Sequence, residues 1–258
     1  MIKKTIYFIL TIFIIVFSNN SIAYSETDYI TVATASNIQF VMNDLKDEFK
    51  KESSIEIKTI INSSGKLSSQ IQNSAPFDIF MSADMDYPRT LYKEGYAITK
   101  PLIYAYGNLV LWTMKDLNLS NWVETLKNSK INKIALANPK VAPYGEESIN
   151  ALKYYKIYDI VKDKLIYGES ISQVNNYIVL NTTDIGFTSK SIVLSENMKN
   201  KGKWIDLDKK SYNPIAQGVV ILKYGKENNY INSKKFYDFL FSKKSQKIFE
   251  RYGYIVKK

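Results

Sequence analysis

The 258-residue chain contains no cysteine and no histidine. Without cysteine it can form no disulfide, offers no thiolate nucleophile and cannot hold a metal through sulfur. Without histidine it has no Ser-His or Cys-His dyad and no imidazole-bound zinc. It also lacks the side chain that most often serves as general base near neutral pH. Glycine (10) and proline (6) are sparse, which excludes collagen-like and low-complexity scaffolds. No internal repeat is visible, and no run of five or more like charges occurs. What remains is 45% hydrophobic, 23% charged and 14% aromatic. That is a globular composition, long enough for one large domain or two small ones.

Lys plus Arg number 35 against 25 Asp plus Glu, a formal charge of +10. A basic balance fits a nucleic acid or an anionic ligand. Here the charges are spread along the chain, which favours a solvated basic surface over a nucleic-acid patch.

The N-terminus reads as an export leader. Lys3 and Lys4 precede an apolar run from Ile6 to Phe17, polar Ser18-Asn19-Asn20, and Ser21-Ile22-Ala23. These are a charged region, a hydrophobic region and a small-x-small cleavage site. As a helix the run rises about 18 Å, short of the roughly 30 Å hydrocarbon core of a bilayer. Residues 1–23 are therefore expected to be a signal peptide cleaved after Ala23. With no cysteine the chain cannot be a diacylglyceryl-anchored lipoprotein.

The rest alternates strand, polar turn and helix. Strands are expected at Tyr29 to Ala35, Ile55 to Ile61, Asp78 to Ser82, Leu109 to Thr113, Lys133 to Ala137, Lys164 to Tyr167, Asp184 to Thr188 and Val219 to Leu222. Helices are expected after Ser36-Asn37, from Lys66 to Gln72, after Ala83-Asp84, from Glu146 or Glu147, from Ser172 to Leu180 and from Ser233 to Gln246. This order implies parallel βαβ units and an α/β fold. A second set begins after about Tyr106, and the strand near Gln217 to Leu222 can return the chain to the first. The expected division is residues 24–106 plus 217–258 as one lobe and 107–216 as the other, with a cleft between lobes joined by two crossings.

In such sheets ligands bind at the carboxyl ends of strands, beside helix N-termini whose free N–H groups favour anions. The turns there are Ser36-Asn37, Asn62-Ser63-Ser64-Gly65, Pro143-Tyr144-Gly145 and Gly168-Glu169-Ser170-Ile171-Ser172. They offer hydroxyls, amides and backbone N–H groups. Apart from Lys66, which follows Gly65, no cation stands among them. Each turn alone is ordinary capping; their recurrence in both halves suits an enclosed small oxyanion.

Other chemistries fit less well. Ser63-Ser64-Gly65-Lys66 matches the S-x-x-K pattern of serine acyl-transfer enzymes and Ser195-Glu196-Asn197 matches S-x-N, but no Lys-Thr-Gly occurs. Lys66 reads as a surface lysine. Gly65-Lys66 lacks the glycine spacing of a P-loop. Asp44, Asp47 and Glu48 share a helix with Lys46 and Lys50, a solvated face rather than a cation site. Asp84 reads as an N-cap. Trp112, Trp122 and Trp204 do not cluster into a stacking platform.

Six segments resemble, in order, the periplasmic molybdate-binding family, the solute-binding components of ABC importers. They are TVATASN (Thr31 to Asn37), INSSGKLSSQI (Ile61 to Ile71), SAPFDIFMSAD (Ser74 to Asp84), ANPKVAPYG (Ala137 to Gly145), GESISQV (Gly168 to Val174) and DIGFTSKS (Asp184 to Ser191). The resemblance implies a type II periplasmic-binding fold and a bound molybdate or tungstate dianion. It implies no catalytic residue and no cofactor, with molybdenum present only within the oxyanion. It further implies a periplasmic location, a membrane permease as partner, no nucleic acid, and a monomer. By motif the contacts would be Ser36, Asn37, Ser63 and Ser64 from the first lobe and the N–H groups of Tyr144 and Ile171 from the second. Some members add a tyrosine hydroxyl after a GIV-type strand. Here Gly186-Phe187-Thr188-Ser189 has none, and Ser189 is the substitute. A receptor of the same fold for sulfate, phosphate or ferric iron is the alternative. Iron would draw on a tyrosine pair such as Tyr154-Tyr155, which falls within a helix.

Overall fold

A computed structural model describes residues 29–256. The expected leader, 1–23, and its cleavage point lie outside the described residues. In chain order the strands are β1 (Tyr29–Ala35), β2 (Glu56–Asn62), β3 (Ile79–Met81), β4 (Leu102–Gly107), β5 (Leu109–Thr113), β6 (Ile134–Ala137), β7 (Leu165–Gly168), β8 (Ile185–Ser189), β9 (Lys203–Asp206) and β10 (Ile215–Ile221). They form two five-stranded sheets, ordered β2-β1-β3-β10-β4 and β7-β6-β8-β5-β9. In the first, β1 runs parallel to β2 and β3, while β10 is antiparallel to β3 and β4. In the second, β6 runs parallel to β7 and β8, while β5 is antiparallel to β8 and β9. The fold is two-lobed α/β, as the sequence pattern implies.

The strands at the centre of each lobe are buried on both faces, so they read as apolar runs rather than alternations. LVLWT in β5, IALA in β6 and IGFTS in β8 are buried throughout. Helices cover both faces of the first sheet. Val41–Lys50, Tyr230–Phe239 and Lys243–Arg251 bury Val41, Leu45, Phe49, Phe236 and Phe249 against Ile30, Val32 and Ile79. Phe49 meets Phe236 edge-on at 5.2 Å between ring centroids, a geometry that adds about 0.5–1.5 kcal/mol beyond area burial. On the other face Leu67, Ile71 and Leu91 pack on Ala33 and Phe80. The second lobe is built around Trp112, Trp122, Leu136 and Phe187. Two of the three tryptophans are thus core; the Trp112 indole N–H donates to the Lys201 carbonyl at 2.8 Å.

The chain passes between sheets twice. Only Asn108 separates β4 from β5, and its amide donates to the Gly253 carbonyl at 2.6 Å. The return runs from β9 to β10, where Tyr212 Oη accepts from the Leu109 N–H at 3.3 Å.

Some local expectations are revised. β4 and β9 carry no clear alternation and were not anticipated. β10 begins four residues before the expected Val219, with a register shift at Gln217/Gly218. The expected helix Ser233 to Gln246 is two helices, because Ser242 Oγ accepts the Ser245 N–H and starts a new one. Ser36–Ile38 is a 3₁₀ turn rather than a side-chain cap. Asp44 pairs with Arg251, and Glu48 with Lys51 and Lys244, so this acidic face ties two helices together. Among the described residues no group of three or more His, Cys, Asp or Glu is placed to hold a metal, and no helix is long and apolar enough to cross a membrane.

Candidate functional site

A small cavity of about 10 Å³ lies between the lobes. Ala35, Ser36 and Asn37 at the end of β1, Ser63 and Ser64 after β2, and Ala83 after β3 form one wall. Ala142, Pro143 and Tyr144, opening the helix Pro143–Tyr154, and Ile171, opening the helix Ile171–Val179, form the other. Every segment sits at the carboxyl end of a parallel strand, where this architecture places ligands. No Lys, Arg, Asp or Glu lines the cavity.

The backbone supplies donors. Ser64, Tyr144 and Ile171 occupy first-turn positions of their helices, whose N–H groups have no intrahelical acceptor. In the Ser36–Ile38 turn the first N–H to close is that of Gln39, onto the Ser36 carbonyl, so the N–H groups before it stand outside the turn's own bonding. Pro143 fits at the helix start because the N–H it lacks would be unused there. Gly145 follows because a Cβ would stand 2.0 Å from the Ala137 carbonyl oxygen.

The two serines differ. Ser64 Oγ accepts the Ala83 N–H at 3.0 Å and can donate onward. Ser63 Oγ is buried without a hydrogen-bond partner. Asn37 spends its amide N–H groups on Gln217 Oε1 and Tyr254 Oη, both at 2.8 Å. Its Oδ1 is buried without a partner.

Of the seven residues expected at the site, Ser36, Asn37, Ser63, Ser64, Tyr144 and Ile171 line this cavity. Ser189 does not. It lies behind Tyr144, with its hydroxyl 3.1 Å from Tyr144 Oη and 2.6 Å from Ser191 Oγ. Tyr154-Tyr155 sits at the far end of the helix Pro143–Tyr154, where Tyr155 packs on Trp122 and Tyr154 is exposed beside it.

Sequence reasoning missed a buried network beside the cavity. Gln217 accepts from Asn37 and from Tyr104 Oη (2.8 Å) and donates to Tyr144 Oη (3.2 Å). Ser191 Oγ donates to the Asn37 carbonyl at 2.5 Å and accepts from Tyr254 Oη at 3.1 Å. Burial lifts the Tyr104 and Tyr144 phenols well above the usual tyrosine range and the Tyr254 phenol to about 12, so all three stay neutral near pH 7. The available signal was a lone glutamine inside the apolar run IAQGVVI of β10.

The lobes touch around the cavity. The Gly65 N–H donates to the Val141 carbonyl at 2.9 Å. Ser172 Oγ donates to Gln39 Oε1 at 2.6 Å, and Lys66 pairs with Glu169.

The model for the family described as bacterial extracellular solute-binding protein matches residues 30–255. This chain belongs to that family. Similar members include a molybdate-binding protein ModA from Azotobacter vinelandii, 32% identical over 87% of this chain and 89% of the relative. Another is a molybdate-binding protein ModA from Rhodobacter capsulatus, 30% identical over 88% of each. The solved structure of an Azotobacter vinelandii periplasmic molybdate-binding protein superposes with a TM-score of 0.83 at 28% identity, over 89% of this chain and 100% of that one. As a solute-binding protein the chain is not an enzyme. Lys66 Nζ is engaged by Glu169, while Ser63 Oγ has no partner, so no Ser-Lys dyad forms.

Proposed function

We propose that this solute-binding protein captures molybdate, and tungstate with it, outside the cytoplasm and delivers it to the permease of an ABC transporter. The observation that carries the reading is the inter-lobe cavity lined only by uncharged groups from five segments, those that follow β1, β2, β3, β6 and β7. A tetrahedral dianion that holds no proton near pH 7 needs donors alone. Helix N-termini and serine hydroxyls provide them. A buried cation would meet the anion's charge but would be costly whenever the site is open.

Binding follows from the placement of the donors. Ser36, Asn37, Ser63 and Ser64 dock the anion on the first lobe. Tyr144 and Ile171 bring their N–H groups with the second. Closure about the two crossings excludes water and strengthens each bond. Tyr144 Oη is occupied by Gln217 and Ser189, so Tyr144 serves through its backbone. The basic start, apolar run and small-x-small site within residues 1–23 support export.

Isothermal titration of the exported chain with molybdate, tungstate, sulfate and phosphate tests the reading. Heat with molybdate and tungstate is expected. Heat with sulfate or phosphate and none with molybdate would refute the molybdate assignment, and silence with all four would refute the oxyanion reading.

A further inference from the structure

We infer that Lys66 and Glu169 form a charge-switched bolt that sets how fast the anion enters and leaves. Lys66 draws the dianion in while the lobes are apart, and Glu169 takes up that charge as they close. The inference rests on the oxyanion reading of the cavity above.

Lys66 is the third residue of the helix Ser64–Gln72, whose first residue lines the cavity. Glu169 immediately precedes Ser170, the N-cap of the helix Ile171–Val179, whose first residue lines the opposite wall. The two charges therefore stand just outside the cavity on facing turns. Their ion pair spans 103 residues of sequence. Among the described residues it is the ion pair that joins the two lobes; Lys115–Asp184, Lys190–Asp206 and Lys203–Asp116 lie within the second, and Arg251–Asp44 and Lys244–Glu52 within the first.

The position of Lys66 is otherwise unfavourable. A cation in the first turn opposes the helix macrodipole, and nothing in its own lobe pairs with it. The same placement adds its charge to the positive field that the helix start presents to an approaching anion. The side chains are 38% and 65% exposed, so the pair is hydrated and adds little to folding stability. Charges on a rim act on association rate and salt dependence. In the closed form Glu169 neutralises Lys66, leaving neutral groups to hold the anion, and the pair must break before the lobes part. Glu169 is held for this by its turn, since its own N–H donates to Gln173 Oε1 at 2.7 Å.

Stopped-flow kinetics with molybdate on wild type, Lys66→Gln, Lys66→Arg, Glu169→Gln and the exchanged pair Lys66→Glu/Glu169→Lys, across a salt series, test the bolt. Lys66→Gln should lower the association rate roughly twofold, flatten its dependence on salt, and raise the dissociation rate. Glu169→Gln should leave association unchanged or faster and raise dissociation about two- to fivefold. Lys66→Arg should keep both rates, and the exchanged pair should bring dissociation back toward wild type. Dissociation at the wild-type rate in both single variants, or no recovery in the exchanged pair, overturns the inference. Small-angle scattering of the protein without added anion gives a second readout. Glu169→Gln should have a larger radius of gyration than wild type, and equal radii overturn the bolt. Should wild type bind none of the oxyanions, the proposed function falls, and scattering alone judges the bolt.

Discussion

Ser63 and Ser64 are neighbours with opposite accounts, and removing each hydroxyl separately tests the site. Ser63 Oγ is buried and has no partner within the protein. In Ser63→Ala the folded chain loses no bond and sheds a desolvated polar atom. Leaving such an atom unpaired costs about 1–3 kcal/mol, so stability without ligand should hold or rise by up to about 1 kcal/mol. The anion, however, loses a charge-assisted hydrogen bond of about 1.5–3 kcal/mol, which is roughly ten- to 150-fold in Kd. Ser64 Oγ accepts the Ala83 N–H. Ser64→Ala should therefore weaken binding and also cost about 1 kcal/mol of stability by stranding that N–H. Urea unfolding without ligand and isothermal titration with molybdate read the two effects separately. Unchanged affinity in Ser63→Ala, or a loss of more than 1 kcal/mol of stability there, would refute the reasoning.

Three further perturbations follow from the same geometry. In Gly65→Ala the new Cβ would stand 3.0 Å from Val141 Cα across the cleft and 2.6 Å from Tyr87 Oη. The side chain can move but the backbone of the second lobe cannot, so titration should show affinity down about tenfold or more. Helix propensity meanwhile gains up to about 1 kcal/mol in the ligand-free chain. Gln217→Leu leaves one Asn37 amide N–H without an acceptor, while the Tyr104 and Tyr144 hydroxyls keep the Ser82 carbonyl and Ser189 Oγ; urea unfolding should show a loss of about 1–3 kcal/mol, the cost of one buried unpaired group. Burial raises the Asp84 carboxyl to about 6, against the pull of bonds from Ser82 Oγ and the Tyr87 N–H. The folded chain then holds that proton more tightly than the unfolded one. This contribution to stability is full below about pH 4 and lost as pH rises through about 6. Asp84→Asn keeps the acceptor without the proton. Relative to wild type it should gain on the order of 3 kcal/mol between pH 4 and pH 8, and equal pH profiles of unfolding would refute the assignment.

The cavity walls were legible because each is a local feature. A polar turn between a strand and a helix declares a free helix start whatever lies across from it, so Ser36, Asn37, Ser63, Ser64, Tyr144 and Ile171 could be read one turn at a time. The residues beside the cavity were not legible for the converse reason. Asn37 and Gln217 are 180 residues apart, and Asn37 and Tyr254 are 217 apart. Nothing local at either end announces the partner. Lys66 is a partly exposed lysine, as its surroundings in sequence suggest, yet its partner lies in the other lobe. Ser189 was misplaced for a related reason. Its strand does end near the cleft, but the Tyr144 side chain occupies the space between Ser189 and the cavity.

Tyr144 joins the two halves of the site. Its N–H belongs to the helix start at the cavity, while its hydroxyl reaches Gln217 of the first sheet and Ser189 of the second. It sits where the chain crosses between lobes, and Gly107 leaves it room, since a Cβ there would stand 2.0 Å from the hydroxyl oxygen. The residue proposed to meet the anion through its backbone is thus fixed, through its side chain, to the segment that must bend for the lobes to part. A shift of the helix start toward or away from an anion moves the hydroxyl against partners from both lobes. A neutral site needs such coupling more than a cationic one does. Its donors are individually modest and strengthen only when water is excluded, so affinity depends on closing completely. Tying a donor to the crossing makes the well-placed donor set and the closed lobes one state rather than two.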